Sequence, residues 1–188
     1  VIEHKHWTRK SDEGIQGQNI AIVGYSHYRK EQDEADSSRF THSVMRSYLS
    51  GDQKMGAKFF PPIQRYFGFE DRKAFWNRVH FFNFIPECFP SANKFASADI
   101  ELKKRAQTRF KKILSIEKPD KVFVFSRKGW NQCPDTPEET QPLKSNPRDT
   151  WGTYDLGGHT ILACGFRHPL YADFEGMHLA VQEFLKMQ

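Results

Sequence analysis

The stretch Asn19-Ile-Ala-Ile-Val-Gly-Tyr-Ser-His-Tyr28 decides the fold. Its four consecutive apolar residues, 20–23, three of them β-branched, suit a strand covered on both faces, as in a parallel sheet sandwiched between helices. Gly24 ends the run and lets the chain turn, or lets another group approach the backbone closely. In open α/β sheets ligands bind beyond the carboxyl ends of the strands, so Tyr25, Ser26, His27 and Tyr28 are expected at the rim of a crevice.

Working outward, three later segments repeat this design. Val79-His-Phe-Phe-Asn-Phe-Ile85 is an apolar run stopped by Pro86 and carrying Asn83 among aromatics. Lys121-Val-Phe-Val-Phe125 is followed by Ser126-Arg-Lys-Gly-Trp130, and Thr160-Ile-Leu-Ala-Cys164 by Gly165-Phe-Arg-His-Pro-Leu-Tyr171. Helical patterns separate the runs. Ser37 or Ser38 is expected to cap a helix with Phe40, Val44, Tyr48 and Leu49 on one face, ended by Gly51. Residues 58–68 hold a short helix with Ile63 and Phe67, and Asp71 caps another through Trp76. The longest helix runs from Ser97 or Asp99 to about Glu117, with Leu102, Ala106, Phe110, Ile113 and Leu114 inward and the cluster Lys103, Lys104, Arg105, Lys111 and Lys112 on a solvated face. A last amphipathic helix carries Met177, Val181, Phe184 and Leu185. This alternation predicts an α/β, three-layer sandwich with a four-stranded parallel sheet flanked by helices, a single domain over residues 1–188. Residues 1–18 read as a polar lead-in and residues 131–150, rich in Pro, Thr, Asn and Asp, as a surface excursion. His4 and His6 have the spacing of a metal-ligand pair but are expected on a solvated terminus.

Composition narrows the function classes. A chain of 188 residues is long enough to bury a substantial core. Mean hydropathy of −0.72 and the lack of any apolar run near the ~20 residues of a membrane span indicate a soluble protein with no membrane partner. The first residues read as neither a signal nor a transit peptide. Cys88, Cys133 and Cys164 show no C-x-x-C spacing, so a disulfide framework, a zinc site and an iron–sulfur cluster are not expected, and neither is any other metal or cofactor. A cytoplasmic setting follows, nucleoid-associated if the protein acts on DNA. A formal charge of +5 permits an anionic partner. Seventeen Phe leave aromatic side chains over for a ligand site.

Right-handed crossovers bring the four post-strand loops to one edge of such a sheet. That edge then holds Ser26, His27 and Tyr28, then Asn83, then Arg127, Lys128 and Trp130, then Arg167 and His168. These side chains suit a flat, polar ligand beside a phosphate: Asn supplies a donor and an acceptor, His a donor, an aromatic ring a stacking surface, and Arg or Lys a charge.

The order of these segments resembles the uracil-DNA glycosylase superfamily, a single α/β domain with a four-stranded parallel sheet. Its members carry a first motif after strand one, an Asn at the end of the second strand and a late His-Pro-Ser motif after the fourth. Here Val23-Gly24-Tyr25-Ser26-His27, Phe81-Phe82-Asn83-Phe84-Ile85-Pro86 and Phe166-Arg167-His168-Pro169-Leu170-Tyr171 occupy those places. The resemblance implies a monomer that binds DNA, single-stranded or as a duplex with an extruded base. Asn83 would read the edge of the base, with Tyr28, Phe40 or Tyr25 beside it. His168 would stabilise the charge that builds on the departing base. Arg29, Lys30, Arg127, Lys128 and Arg167 would meet the backbone, and Leu170 and Tyr171 would fill the gap left by the base. The first motif departs from the pattern: Ser26 stands where water-activating members place Asp, Asn or Glu, and a hydroxyl cannot take a proton from water near neutral pH. His27 or one of Glu31, Asp33, Glu34 and Asp36 is the remaining candidate base. Two alternatives stay open. One is a non-catalytic nucleic-acid or nucleotide binding module of the same fold. The other is a serine hydrolase resembling the Gly-Asp-Ser-Leu family, with Ser26, Asn83 and His168 as nucleophile, oxyanion donor and base.

Overall fold

A computed structural model describes residues 2–29, 36–52, 56–90, 98–134 and 140–188. In chain order the strands are β1 (Ile20–Gly24), β2 (His27–Arg29), β3 (Val79–Asn83), β4 (Cys88–Pro90), β5 (Lys121–Val124), β6 (Gln141–Pro142), β7 (Thr150–Asp155) and β8 (Thr160–Gly165). The helices are α1 (Phe40–Ser50), α2 (Phe60–Tyr66), α3 (Arg72–Trp76), α4 (Ile100–Glu117), α5 (Arg127–Trp130) and α6 (Phe174–Lys186), with a 3₁₀ turn at Pro169–Tyr171. The main sheet has six strands in the order β3-β1-β5-β8-β7-β6, and β2 pairs with β4 in a separate parallel ribbon.

The four apolar runs form the parallel part, β3, β1, β5 and β8. Every residue of β1, β3 and β5 is buried, as strands covered on both faces require. Alternation divides them between two cores. Ile20, Ile22, Val79, Phe81 and Phe123 pack against α1, α2, α3 and α6, whereas Ala21, Val23, Phe82, Val122 and Val124 pack against α4. The helix starts follow from side-chain capping: Asp71, Asp99 and Asp173 accept the backbone N–H of Ala74, Leu102 and Gly176. Gly51, at φ 109°, ends α1 as expected. The start of α1 differs, because the capping position is Arg39 and neither Ser37 nor Ser38 caps it through a side chain. Ser97 lies outside the described residues.

Three expectations are corrected. The sheet is mixed and six-stranded rather than four-stranded and parallel, because β7 adds antiparallel to β8 and β6 antiparallel to β7. The second half of the supposed surface excursion therefore contributes β6 and the start of β7 to the sheet, and Leu143 and Asp149 between them are buried. Its signal was weak because an edge strand with one wet face alternates, and Thr and Gly break the apolar pattern. The polar lead-in is packed, not solvated: Trp7 and Phe81 exchange two backbone hydrogen bonds (2.7 and 2.9 Å), and the Trp7 indole donates to the Trp76 carbonyl. It covers the otherwise open edge of β3, which leaves His4, Trp7 and Ile15 buried. No described helix is long and apolar enough to cross a membrane.

Candidate functional site

A cleft of about 820 Å³ opens where the four parallel strands end, within the range of roughly 300–1,000 Å³ usual for ligand sites. Ser26, Asn83 and His168 line it together. Tyr25, His27, Tyr28, Phe40, Arg127, Lys128, Arg167, Leu170 and Tyr171 line it too, so the loops gather as the strand pattern predicts. Lys30, Glu31, Asp33, Glu34 and the side chain of Arg29 lie outside the described residues. A smaller cavity of about 370 Å³ sits between Tyr48, Gln64 and Arg72, whose polar groups already bond one another or nearby carbonyls.

Asn83 closes β3 beside Gly24, its partner in β1. A Cβ at position 24 would collide with Asn83 Oδ1 and crowd Phe59, so glycine here makes room for the carboxamide. The Asn83 carbonyl accepts from Arg109 Nη1 at 2.8 Å, which fixes the backbone. Among the described residues nothing hydrogen-bonds the carboxamide, which lines the cleft with its donor and acceptor available.

His168 sits at the start of the 3₁₀ turn, and the Leu170 backbone N–H donates to its Nδ1 at 3.1 Å. A ring nitrogen that accepts carries no proton, so the neutral ring bears its hydrogen on Nε2. Burial pushes the His168 pKa down from its ordinary value, in the same direction. The result is an uncharged N–H donor. The Phe59 ring packs 5.6 Å from it, centroid to centroid, and 5.9 Å from Phe81.

Ser26 and His27 are otherwise engaged. The Ser26 hydroxyl is within donating distance of the His27 carbonyl at 2.8 Å and the Glu87 carbonyl at 3.3 Å, and no imidazole is hydrogen-bonded to it among the described residues. His27 Nε2 meets Thr41 Oγ1 at 3.1 Å, and its ring packs against Phe40. Burial, together with the neighbouring His4, pushes the His27 pKa down to about 3, which leaves a neutral ring too weakly basic to draw a proton from water. Asp36 is tied to His4 Nε2 (2.6 Å) and to the Cys88 backbone N–H. No Asp or Glu lines the cleft among the described residues.

The cations are not equivalent. Arg127 Nη2 lies 3.2 Å from Asp149 Oδ1, a carboxylate with no solvent exposure, so much of its charge is spent inside the protein. Lys128 Nζ lies 4.9 Å above the Tyr25 ring. Arg167 and Lys58 are exposed on the cleft. At the rim Leu170 and Tyr171 are 46% and 58% exposed, and the Tyr171 ring lies 6.0 Å from that of His168, centroid to centroid.

Two residues escaped the sequence reading. Phe59 was hidden in the Phe59-Phe60 pair: Phe60 goes to the core, and Phe59, the residue just before α2, turns to the cleft. Arg109 was not singled out among the cations of the long helix, although it falls at core spacing with Leu102, Ala106 and Ile113 and is only 3% exposed. No protein-family model matches the chain, and no curated protein matches it significantly. What the cleft does has to be read from its own chemistry.

Proposed function

We propose that the cleft receives one nucleobase extruded from DNA, and that the protein is a uracil-DNA glycosylase-like enzyme cleaving the N-glycosidic bond of uracil or another damaged base. The observation that carries this reading is the pairing of a neutral His168, its proton on Nε2, with the unengaged Asn83 carboxamide in one aromatic-walled cleft. An imide-like base edge offers a donor between acceptors, which a carboxamide matches. As the bond from the sugar C1′ to the base nitrogen breaks, both electrons leave with the base and negative charge grows on its carbonyl oxygen. A preorganised neutral N–H donor stabilises that charge without first protonating the base. Phe59 supplies a stacking face beside His168, and Leu170 and Tyr171 supply apolar side chains for the gap in the base stack. Water then adds to C1′ and loses its proton to solvent, a route that needs no carboxylate base.

Release of uracil from a labelled oligonucleotide tests the reading. Asn83→Ala and His168→Ala are each expected to cost about 100-fold to 1,000-fold in rate, as loss of a single preorganised donor does. Ser26→Ala should cost much less, because its hydroxyl is held by backbone carbonyls. Equal rates for wild type and His168→Ala would overturn the role given to His168. A second reading draws on the missing carboxylate: the same cleft binds an extruded base or a nucleotide without cleaving it. Tight binding to a uracil-containing strand with no release of uracil or other lesions would select it. The serine hydrolase reading has no support in the surroundings of Ser26, and labelling of Ser26 by a fluorophosphonate would be needed to restore it.

A further inference from the structure

At the opposite end of the sheet from the cleft, three side chains from distant parts of the chain converge. The antiparallel bridge between Trp7 and Phe81 sets their directions. Trp7 and Phe81 both point into the core under α1, α2 and α3, so the neighbouring His6 and His80 both point to the other face. There α4 ends at Glu117, and the Asn19 side chain donates to the Glu117 carbonyl at 2.7 Å, pinning that helix end beside the start of β1. His6 Nε2 lies 2.5 Å from Glu117 Oε1 and His80 Nδ1 lies 3.4 Å from Glu117 Oε2. One donor atom from each residue falls within 4.8 Å of the others.

His80 makes this more than a surface ion pair. It is 1% exposed, and neither ring nitrogen has a hydrogen-bond partner among the described residues. A buried imidazole normally satisfies at least one of its nitrogens, since leaving both unmade forfeits their hydration. Its Nδ1 faces the Glu117 carboxylate without a hydrogen bond to it. We infer that His6, His80 and Glu117 form a binding site for a divalent transition metal of the Zn²⁺ class, which fastens the amino-terminal segment to β3 and to the end of α4. Two imidazoles and a carboxylate form a ligand set typical of zinc. Ligand atoms about 2.0–2.2 Å from a tetrahedral ion stand about 3.4 Å from one another, the separation seen between His80 Nδ1 and Glu117 Oε2. Metal bonding replaces the His6–Glu117 hydrogen bond: the His6 proton moves to Nδ1, and Nε2 turns its lone pair to the ion. His6 and Glu117 are partly exposed, at 21% and 16% of their side chains, so solvent supplies a path in and a fourth ligand. The negative end of the α4 dipole favours a cation there. The cysteines, whose spacing argues against a metal, take no part in this site.

The test is titration of the metal-stripped, full-length chain with Zn²⁺ and with Co²⁺. One equivalent is expected to bind, with a higher melting temperature and, for Co²⁺, visible absorption of low coordination number and no thiolate charge-transfer band. His6→Ala and Glu117→Ala alter partly exposed positions, and each is expected to weaken binding at least 10-fold. Cys88→Ser serves as the control and should bind as wild type does. It probes the other group of potential ligands, His4, Asp36 and Cys88, which lies toward the cleft end of the sheet. No bound metal, or unchanged binding by both His6→Ala and Glu117→Ala, overturns the inference. So does a thiolate band lost in Cys88→Ser, which would move the ion to that other group.

Discussion

At the scale of single residues, two histidines in one cleft have different work because their partners differ. His168 accepts a backbone N–H and keeps Nε2–H for a ligand, whereas His27 spends Nε2 on Thr41 and is packed against Phe40. The second arrangement has a consequence for stability. The His27 pKa falls from its ordinary value of 6.5 to about 3, chiefly through burial. Between those values the unfolded chain takes up a proton that the folded chain refuses, so the stabilisation is complete above pH 6.5 and is lost as pH falls toward 3. Urea midpoints measured from pH 7.5 down to 4.5 should decline, and His27→Asn should decline less steeply. Parallel slopes for the two proteins would place the acid sensitivity elsewhere.

At the scale of elements, α4 places the cleft end of β3 through one buried cation. Arg109 lies under the Asn83 and His4 carbonyls, donating to both, and its guanidinium stacks 5.6 Å from the Phe82 ring. Burial lowers its pKa to about 10, so it stays charged at neutral pH and its hydrogen bonds are charge-assisted. Arg109→Met keeps most of the apolar stem but orphans two buried carbonyls, at about 1–3 kcal/mol each. Denaturant unfolding of this variant is expected to show a loss of a few kcal/mol. The same change frees the end of β3, so binding of a uracil-containing strand should weaken although Arg109 does not line the cleft. A variant with wild-type stability would show that water or another donor replaces the guanidinium. Lys121 does comparable work at the far end, where its buried ammonium donates to the Leu185 carbonyl at 2.6 Å and ties β5 to the end of α6.

At the scale of the whole molecule, the formal charge of +5 matters less than which cations face the cleft. With Arg127 held by Asp149, the cleft presents chiefly Lys58, Lys128 and Arg167. If these three neutralise three phosphates of a single strand, the logarithm of affinity should fall with the logarithm of salt with a slope of about −2. Arg167→Ala should flatten that slope by about 0.7, and a wild-type affinity indifferent to salt would argue against a polyanionic ligand. The sequence by itself determined the parallel core and the loops around the cleft. Strands buried on both faces must be apolar, so their ends are visible in a list of residues, and parallel strands bring Ser26, Asn83 and His168 to one edge. Asp71, Asp99 and Gly51 marked helix ends for equally local reasons. Only the tertiary structure decided which polar groups were already satisfied. That Ser26 is held by carbonyls, that His168 carries its proton on Nε2, that Phe59 rather than Phe60 faces the cleft, and that His6 and His80 meet Glu117 all depend on neighbours remote in the chain. The lead-in and residues 141–155 were missed for the same reason: each gains its order by covering an open sheet edge, a backbone interaction with no side-chain pattern to announce it.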